Sequence, residues 1–399
     1  MMAELENLPK MLEQLRAQTF QHFSVYFCVN QPEEAPSLHS IIFKENQECL
    51  SILKETCDID IKIIDRSSIG YGWKGKKKGV GWARKELFSA ITNDCDRKEI
   101  VVSLDADTYF SPTYLESVIK QLNSHPHWSA LCVPYYHPLS SDHPGLNRPM
   151  LRYELYMRYY LLNLLEAHNP YAFSALGSAM AFPLWAYNRV GGITPLQGGE
   201  DFYLMQKFAK TGTIGLWLEE AVYPEGRTSN RVPFGTGPAI AKGIDSMDNK
   251  YPFYPLSAFD EIKNTFDSIP LLFENDIEMP MTSFLKEQLA TEDLWGKLRK
   301  NFKTKELFIH AVEERIDGLR ILQYLRTKHQ ESPTENSCNQ LIKYCKSKSI
   351  KLADDFNFEH TPVSSINELR EELFRLEMKL RKEHDYNLSN KHTINRQTK

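Results

Sequence analysis

Two short motifs hold the carboxylates of this sequence that are best placed to do chemistry. LDAD (104–107) ends an apolar run and puts Asp105 and Asp107 two positions apart. Divalent cations such as Mg²⁺ and Mn²⁺ prefer oxygen ligands, commonly one or two carboxylates together with phosphate oxygens. A nucleoside diphosphate would supply those phosphates, and the metal would neutralise the charge on the leaving group. The motif predicts a divalent-metal site at Asp105 and Asp107, with capping of the next turn as the alternative for the motif taken alone.

The second motif is GGED (198–201), in which two glycines precede Glu200 and Asp201 at the start of a predicted helix. Carboxylates at a helix N-terminus are also favourable for the helix dipole, so simple capping is the alternative interpretation. That alternative weakens because the motif belongs to one block with the earlier apolar segment GSAMAFP and the turn VGG. A carboxylate held beside an acceptor hydroxyl can act as a general base, and we predict this role for Asp201.

The elements before these motifs predict an α/β domain. Apolar, β-branched runs read as strands at 22–30, 60–68 and 99–107, with helical patterns at 37–56, 82–93 and 111–125. This order predicts a Rossmann-like, mostly parallel sheet with helices on both faces. Ligands gather at the carboxyl ends of such strands. Asn30, Asp65 and the aspartates of LDAD all lie at predicted carboxyl ends, so we expect them at one edge.

The whole set of segments resembles the family 2 glycosyltransferases of GT-A fold. The resemblance covers about residues 22 to 240 and is carried, in order, by FSVYFCVN, IIDRSS, GKKKGVGWARKELFSAI, VVSLDADTYFSPTYL and the block GSAMAFPLWAYNRVGGI…GGEDFYLMQKFAKTG. It implies transfer of a sugar from a nucleotide-sugar donor to an acceptor hydroxyl, assisted by Mn²⁺ or Mg²⁺. Most members invert the anomeric configuration, so inversion is implied here.

The resemblance also implies roles for single residues. Val29 and Asn30 match the first-strand loop that touches the nucleobase, and Asp65 matches the aspartate that reads the base. Gly79 and Arg84 match the loop and helix start near the donor. Asp105 and Asp107 match the D-x-D, with Asp107 expected as the direct metal ligand; Asp201 matches the base, and Glu200 an acceptor contact.

Several features depart from the family pattern. The proline-tyrosine before Asn30 is missing, and Arg66 follows Asp65 where the family often has an acidic or small polar residue. Between His168 and His310 there is no histidine to serve as a further metal ligand. Arg227 and Arg231 are candidates to hold the diphosphate instead, because the guanidinium fork suits phosphate geometry; surface arginines on a loop are the alternative.

After about residue 255 glycine becomes rare and the pattern turns helical. We predict a GT-A domain over 1–255, a helical C-terminal region over 256–385 and a disordered tail over 386–399. Residues 366–384 place leucines at heptad spacing, which favours either packing on their own domain or a homo-oligomer contact. The role of this region stays open between acceptor binding, oligomerisation and docking at a membrane surface.

Composition narrows the class further. The 399 residues are 42% hydrophobic and 25% charged, with a net charge of −4, which does not suit a nucleic-acid-binding domain. Seven cysteines without a C-x-x-C argue against a disulfide framework and suit a reducing cytosol. No apolar run reaches the roughly 18–20 residues of a transmembrane helix. We therefore expect a cytoplasmic protein that meets any lipid-linked acceptor peripherally, at the inner face of the membrane.

Other functions fit the sequence less well. A nucleotidyltransferase would carry a glycine-rich basic loop directly after the first strand, where this chain has NQPEEAP. A dinucleotide-dependent oxidoreductase would need G-x-G-x-x-G after a strand. The remaining alternative is a non-catalytic GT-A scaffold that binds a glycan or a partner protein. Asp105, Asp107 and Asp201 together argue against a decayed site.

Overall fold

The computed structural model describes residues 1–38, 40–75, 77–227, 236–242, 250–331 and 337–397. The strands are β1 (Ser24–Asn30), β2 (Asp60–Arg66), β3 (Ile100–Ser103), β4 (Thr108–Tyr109), β5 (Trp128–Cys132), β6 (Met180–Pro183), β7 (Thr213–Gly215) and β8 (Tyr223–Pro224). The first helices are α1 (Leu8–Arg16), α2 (Ala35–Leu38), α3 (Ser40–Glu55), α4 (Val80–Asp94), α5 (Tyr114–Ser124), α6 (Asn147–Glu166), α7 (Leu184–Arg189), α8 (Glu200–Thr211) and α9 (Thr236–Lys242). They are followed by α10 (Leu256–Ser268), α11 (Thr282–Leu289), α12 (Gly296–Asn301), α13 (Lys305–Arg315), α14 (Gly318–Glu331), α15 (Ser337–Ser347) and α16 (Val363–Gln397).

The chain divides into two compact units. The first contains residues 1–150 and 173–241, and the second contains residues 151–172 and 242–399. The division falls inside α6, whose residues from Leu151 onward belong to the second unit. The boundaries at 255 and 385 stay predictions, and α16 extends to Gln397, into the segment predicted to be disordered.

In the first unit, β1 and β2 pair in parallel, as the sequence predicts. Their register runs from Ser24 opposite Asp60 to Asn30 opposite Arg66. Parallel strands end at the same edge, so the last residues of β1 and the Asp65 turn lie next to each other. Burial deepens along β1 toward that edge, where its last four residues are buried.

A second sheet in this unit has the strand order β3-β6-β5-β7. The pair β5–β7 is parallel, but β6 runs antiparallel to both β3 and β5. The mixed α/β class is confirmed, while the sheet is less parallel than predicted. The reason is that β5 and β6 are buried at every residue, and a fully buried apolar run does not reveal strand direction.

A short antiparallel pair, β4–β8, brings the end of LDAD to a later loop. Thr108 lies opposite Pro224 and Tyr109 opposite Tyr223. The Glu225 backbone N–H then donates to the Asp107 carbonyl at 3.0 Å. This pairing places the segment 225–227 beside Asp107, although more than a hundred residues separate them in the chain.

The second unit is helical, in agreement with the predicted C-terminal region. On α16, Ile366, Leu369 and Leu373 are buried as the heptad pattern suggests. Further along the same face, Glu377 and Arg381 are fully buried, whereas Leu376 and Leu380 are only half-buried. The helix therefore changes from an apolar to an ionic contact with its own unit. Across the described residues, no helix combines the length and the apolar character needed to cross a membrane.

Candidate active site

Arg84 is the centre of the charged cluster in the first unit. Its helix, α4, begins after Gly79, whose φ of 96° is a left-handed value that favours glycine. Arg84 is 5% exposed, and its Nη2 lies 2.7 Å from Asp105 Oδ1 while Nη1 pairs with Glu200 Oε1. Burial opposes the positive charge, but three neighbouring carboxylates, with Asp201 the third, raise the pKa of Arg84 above its ordinary value. Arg84 thus joins the LDAD and GGED motifs.

Two glycines make this arrangement possible, and sequence reasoning did not assign them a role. A Cβ on Gly177 would lie 2.1 Å from the Arg84 guanidinium, so any other residue would displace that side chain. A Cβ on Gly81 would lie 2.1 Å from the Leu196 carbonyl oxygen, so α4 packs directly on the loop that precedes GGED. Two features of the sequence signal these glycines: Gly177 begins the otherwise apolar segment GSAMAFP, and Gly81 ends the loop GVG.

Asp107 faces a different arginine. Arg227 Nη2 lies 2.7 Å from Asp107 Oδ2 and also pairs with Glu4 Oε1. The Asp107 side chain is 19% exposed and that of Arg227 is 28% exposed. Burial and the neighbouring Asp105 raise the pKa of Asp107 to about 6, against the lowering effect of Arg227. Glu4 was absent from the sequence predictions, because nothing in its helical surroundings signals a partner so distant in the chain.

Asp201 lies in the first turn of α8, where Gly199 forms the N-cap with a φ of 80°. The Phe202 backbone N–H donates to Asp201 Oδ1 at 2.8 Å. Burial and the charge of Glu200 raise the pKa of Asp201 to about 7, although Arg84 acts in the opposite direction. A carboxylate with this pKa can take a proton near neutral pH, as a general base must.

Glu200 is 1% exposed, and its observed partner is Arg84. The predicted acceptor contact of Glu200 stays a prediction. In the structure, the side chain points into the first unit and fixes the guanidinium beside Asp105.

Three of the predicted nucleotide-binding residues, Val29, Asn30 and Asp65, lie together at the β1–β2 edge. Val29 is fully buried, so its side chain is part of the core. Asn30 Nδ2 donates to the Met1 carbonyl at 3.1 Å, and Trp73 Nε1 donates to Asn30 Oδ1 at 3.3 Å. Burial alone would raise the pKa of Asp65, but hydrogen bonds from Ser68 and Ser67 hold it below the ordinary value.

The donor set of LDAD suits a hard divalent cation. Asp105 and Asp107 offer carboxylate oxygens from one turn, and this number is sufficient when substrate phosphates complete the coordination. Within the described ranges, no group of three or more His, Cys, Asp or Glu side chains forms a complete metal cage. Each aspartate is at the same time ion-paired to an arginine. Water molecules or donor phosphates would complete the coordination of the ion, and Arg227 would have to move away from Asp107 for the ion to bind.

Of the two arginines predicted to hold a diphosphate, Arg227 lies at the site, where it contacts carboxylates. Arg231 lies outside the described residues. The site thus brings together Arg84, the LDAD aspartates and the GGED carboxylates, with Arg227 and Glu4 on the side of Asp107.

The comparison with protein families agrees with this architecture. The model for glycosyl transferase family 2 matches residues 2–181, which include β1 to β5 and the LDAD motif. None of the curated proteins matches the chain. Among solved structures, a mannosyltransferase from Pyrobaculum calidifontis in complex with GDP-Man and Mn²⁺ shares 12% identity over 94% of this chain and 83% of its own, with a TM-score of 0.34. A similarity of that size does not by itself establish a common fold.

The class defined by the fold and the carboxylate cluster is an α/β domain with its charged site around the LDAD turn. The match over 2–181 confirms the resemblance of the N-terminal part of this chain to the family 2 glycosyltransferases, which its motifs predict.

Proposed function

We propose that the chain transfers a sugar from a nucleoside-diphosphate sugar to an acceptor hydroxyl, with inversion at the anomeric carbon. The observation that carries this proposal is the cluster of Asp105, Glu200 and Asp201 around the buried Arg84. It joins a predicted metal-binding turn to a carboxylate whose pKa lies near neutrality. Both are required when one group must stabilise a leaving diphosphate and another must accept a proton.

Asp201 is the proposed general base. Its location at the start of α8 and its hydrogen bond from the Phe202 N–H fix the orientation of the carboxylate. With a pKa of about 7, it is partly ionised at neutral pH and can still hold the proton that it takes from the acceptor hydroxyl. The freed oxygen then attacks the anomeric carbon from the side opposite the leaving diphosphate, which inverts the configuration.

Asp105 and Asp107 would hold a Mn²⁺ or Mg²⁺ ion together with donor phosphates. The bound ion would neutralise the negative charge that develops on the departing diphosphate. Arg84 keeps Asp105 in place, and Glu200 in turn keeps Arg84 in place. We assign Glu200 this positioning role in addition to its predicted acceptor contact.

The β1–β2 edge is the proposed site for the nucleoside. Asp65 is held ionised by its serine neighbours and can accept hydrogen bonds from N–H groups of a base. The backbone of Val29 and Asn30 lies at the same end of the strands, and the loop at Gly79 is proposed to contact the donor as well. Cytoplasmic location, peripheral contact with a membrane and assembly through the C-terminal helices stay predictions.

The test compares wild type with Asp201→Asn. Calorimetry should show that both bind the nucleoside diphosphate of the donor in the presence of Mn²⁺ with affinities within about threefold. Release of that diphosphate from the donor, with water or an added sugar as acceptor, should fall by about 10²-fold or more in Asp201→Asn. Asp58→Asn, an exposed aspartate of the same unit, is the control and should behave as wild type.

A second candidate is a non-catalytic scaffold, and the observation that favours it is the ion pairing of both LDAD aspartates. In a scaffold, Arg84 and Arg227 would remain paired with Asp105 and Asp107, and no metal ion would replace them. No metal-dependent release of diphosphate from any of the common nucleotide-sugars by wild type would decide for the scaffold.

A further inference from the structure

The guanidinium of Arg227 lies between two carboxylates that come from distant parts of the first unit. One nitrogen, Nη2, lies 2.7 Å from Asp107 Oδ2 and also pairs with Glu4 Oε1. The Glu4 side chain is 6% exposed, so this second partner is buried more deeply than the first. Arg227 is thus bound at once to the predicted metal ligand and to a carboxylate with no role in the proposed chemistry.

A divalent cation on Asp107 would compete directly with this contact. Two like charges about 4 Å apart repel strongly where water is partly excluded, and a dication increases that repulsion. Arg227 therefore has to leave Asp107 when the ion binds. The free energy of that step depends on where the guanidinium can go.

Glu4 offers a fixed second partner. Asn7 Nδ2 donates to Glu4 Oε2 at 3.0 Å, which leaves Oε1 directed at Arg227. Glu4 also accepts, through its carbonyl, the first backbone hydrogen bonds of α1, from Asn7 and Leu8. The carboxylate is therefore held in place from both its side chain and its backbone.

The surroundings of Arg227 also leave room for movement. The side chain lines a cavity of about 990 Å³ together with Glu4, Glu225 and residues of the turn 142–146. Glu225 Oε2 lies 3.9 Å from Arg227 Nε, so a further negative charge borders the path. A guanidinium that leaves Asp107 stays within reach of two carboxylates.

We propose that Arg227 is a displaceable counter-ion of Asp107, and that Glu4 is the positioning residue that holds Arg227 once a divalent cation occupies Asp107. This inference rests on the metal role proposed for Asp107. It assigns Glu4, in the N-terminal segment, to the donor site. There Glu4 would influence the affinity of the site for its divalent cation.

The experiment measures binding of Mn²⁺ alone to the purified full chain, from the electron paramagnetic resonance signal of free Mn²⁺. Four proteins form a double-mutant cycle: wild type, Glu4→Gln, Arg227→Met and the double variant. Arg227→Met should lower the Kd for Mn²⁺ by about tenfold, because the competing cation is gone. Glu4→Gln should raise it by about threefold or more, because Arg227 then depends on Asp107 alone.

The double variant decides whether Glu4 acts by holding the displaced Arg227 or by direct electrostatic attraction of Mn²⁺. If Glu4 acts through Arg227, the substitution Glu4→Gln changes the Kd by less than about twofold when Met occupies position 227. An equal effect of Glu4→Gln in both backgrounds would show that Glu4 attracts Mn²⁺ by its charge only, and would overturn the proposal. Asp58→Asn and Arg16→Gln, the two partners of an exposed ion pair, are charge-matched controls and should leave the Kd unchanged.

Two further readouts keep the result interpretable. Circular dichroism and thermal melting establish that each variant is folded, and Arg227→Lys, which keeps the charge, replaces Arg227→Met if the latter does not fold. With lysine, the Kd should stay within about threefold of wild type and the Glu4→Gln effect should persist. If Asp107→Ala binds Mn²⁺ as wild type does, the metal assignment itself fails; if only the cycle fails, Arg227 displacement alone is refuted.

Discussion

At the scale of residues, the site is a set of carboxylates whose charges are only partly compensated. Asp105 and Glu200 share the cation of Arg84, while Asp201 lies beside them and, among the described residues, forms no direct ion pair. Because burial disfavours the charged form and the nearby charge of Glu200 disfavours a second negative charge, the pKa of Asp201 rises from an ordinary value of 3.8 to about 7. The same electrostatics that make this carboxylate a base also make its ionised form costly to the folded state.

The pH dependence of turnover should follow this group. Since the base acts only when ionised, kcat/KM should rise about tenfold per pH unit below pH 7 and level off above it. Rates of diphosphate release from the donor between pH 5 and 9, at constant ionic strength, measure this profile. A plateau that extends down to pH 5 would exclude Asp201 as a base with this pKa.

Thermal stability provides an independent check of the raised pKa of Asp201, because ionisation of this group should lower stability as the pH rises while it increases activity. A carboxyl whose pKa is higher in the folded state than in the unfolded state costs stability when it ionises, increasingly from about pH 4 to 7 and constantly above. Asp201→Asn should therefore melt at a higher temperature than wild type at pH 8, and the difference should shrink toward pH 4. Equal melting temperatures at pH 8 would contradict the raised pKa.

At the scale of elements, the sequence was informative where local pattern and chemistry coincide. The strand before LDAD could be predicted from an apolar run that is followed by carboxylates, and the helix at GGED from carboxylates that begin a helical pattern. The parallel β1–β2 pair could be predicted from the alternating order of strands and helices. The direction of β6 could not, because a run buried on both faces looks the same in either direction. Gly177 and Glu4 were also missed, since their roles depend on side chains that reach them only in the folded chain.

The last helix shows how a pattern can be read only in part. Leucines at heptad spacing predicted an apolar seam along α16, and the seam is present up to Leu373. Beyond it, Glu377 binds Arg381 Nε at 2.7 Å and also pairs with Arg158 of α6. All three side chains are fully buried. Glu154, also on α6, pairs with Arg158 and with Arg370, so the ionic contact extends along both α6 and α16.

Removing one charge from this contact should be costly. Glu377→Gln leaves two buried guanidinium groups without the carboxylate that they share, which should lower the free energy of unfolding by about 3–5 kcal/mol. Urea denaturation followed by circular dichroism measures the change. Glu372→Gln, at an exposed pair with Arg375 on the same helix, should cost about 0.5 kcal/mol or less. Similar losses in the two variants would mean that the buried network adds little beyond a surface pair.

At the scale of the whole molecule, the chemistry proposed here belongs to the first unit. Its strand ends, the turn of LDAD and the start of α8 all lie within residues 1–150 and 173–241. The family match, over residues 2–181, covers most of the first of these ranges and includes LDAD, but ends before GGED. The base is therefore assigned by its position around Arg84 and not by the extent of the match.

Binding of a donor nucleotide should be visible as stabilisation that depends on metal. A ligand that binds only the folded state adds about 2.7 kcal/mol at one hundred times its Kd. We expect one of UDP, GDP, CDP and dTDP to raise the melting temperature of wild type when Mn²⁺ is present, and to have little effect without it.

Asp107→Ala should lose this shift, because the carboxylate that joins the ion to the protein is gone. Asp58→Ala, which removes an exposed carboxylate of the same unit, should retain it. A shift of equal size with and without Mn²⁺ would mean that the arginines hold the diphosphate directly, with Asp107 serving as their counter-ion. If none of the four nucleotides changes the melting temperature, the result would favour the non-catalytic scaffold.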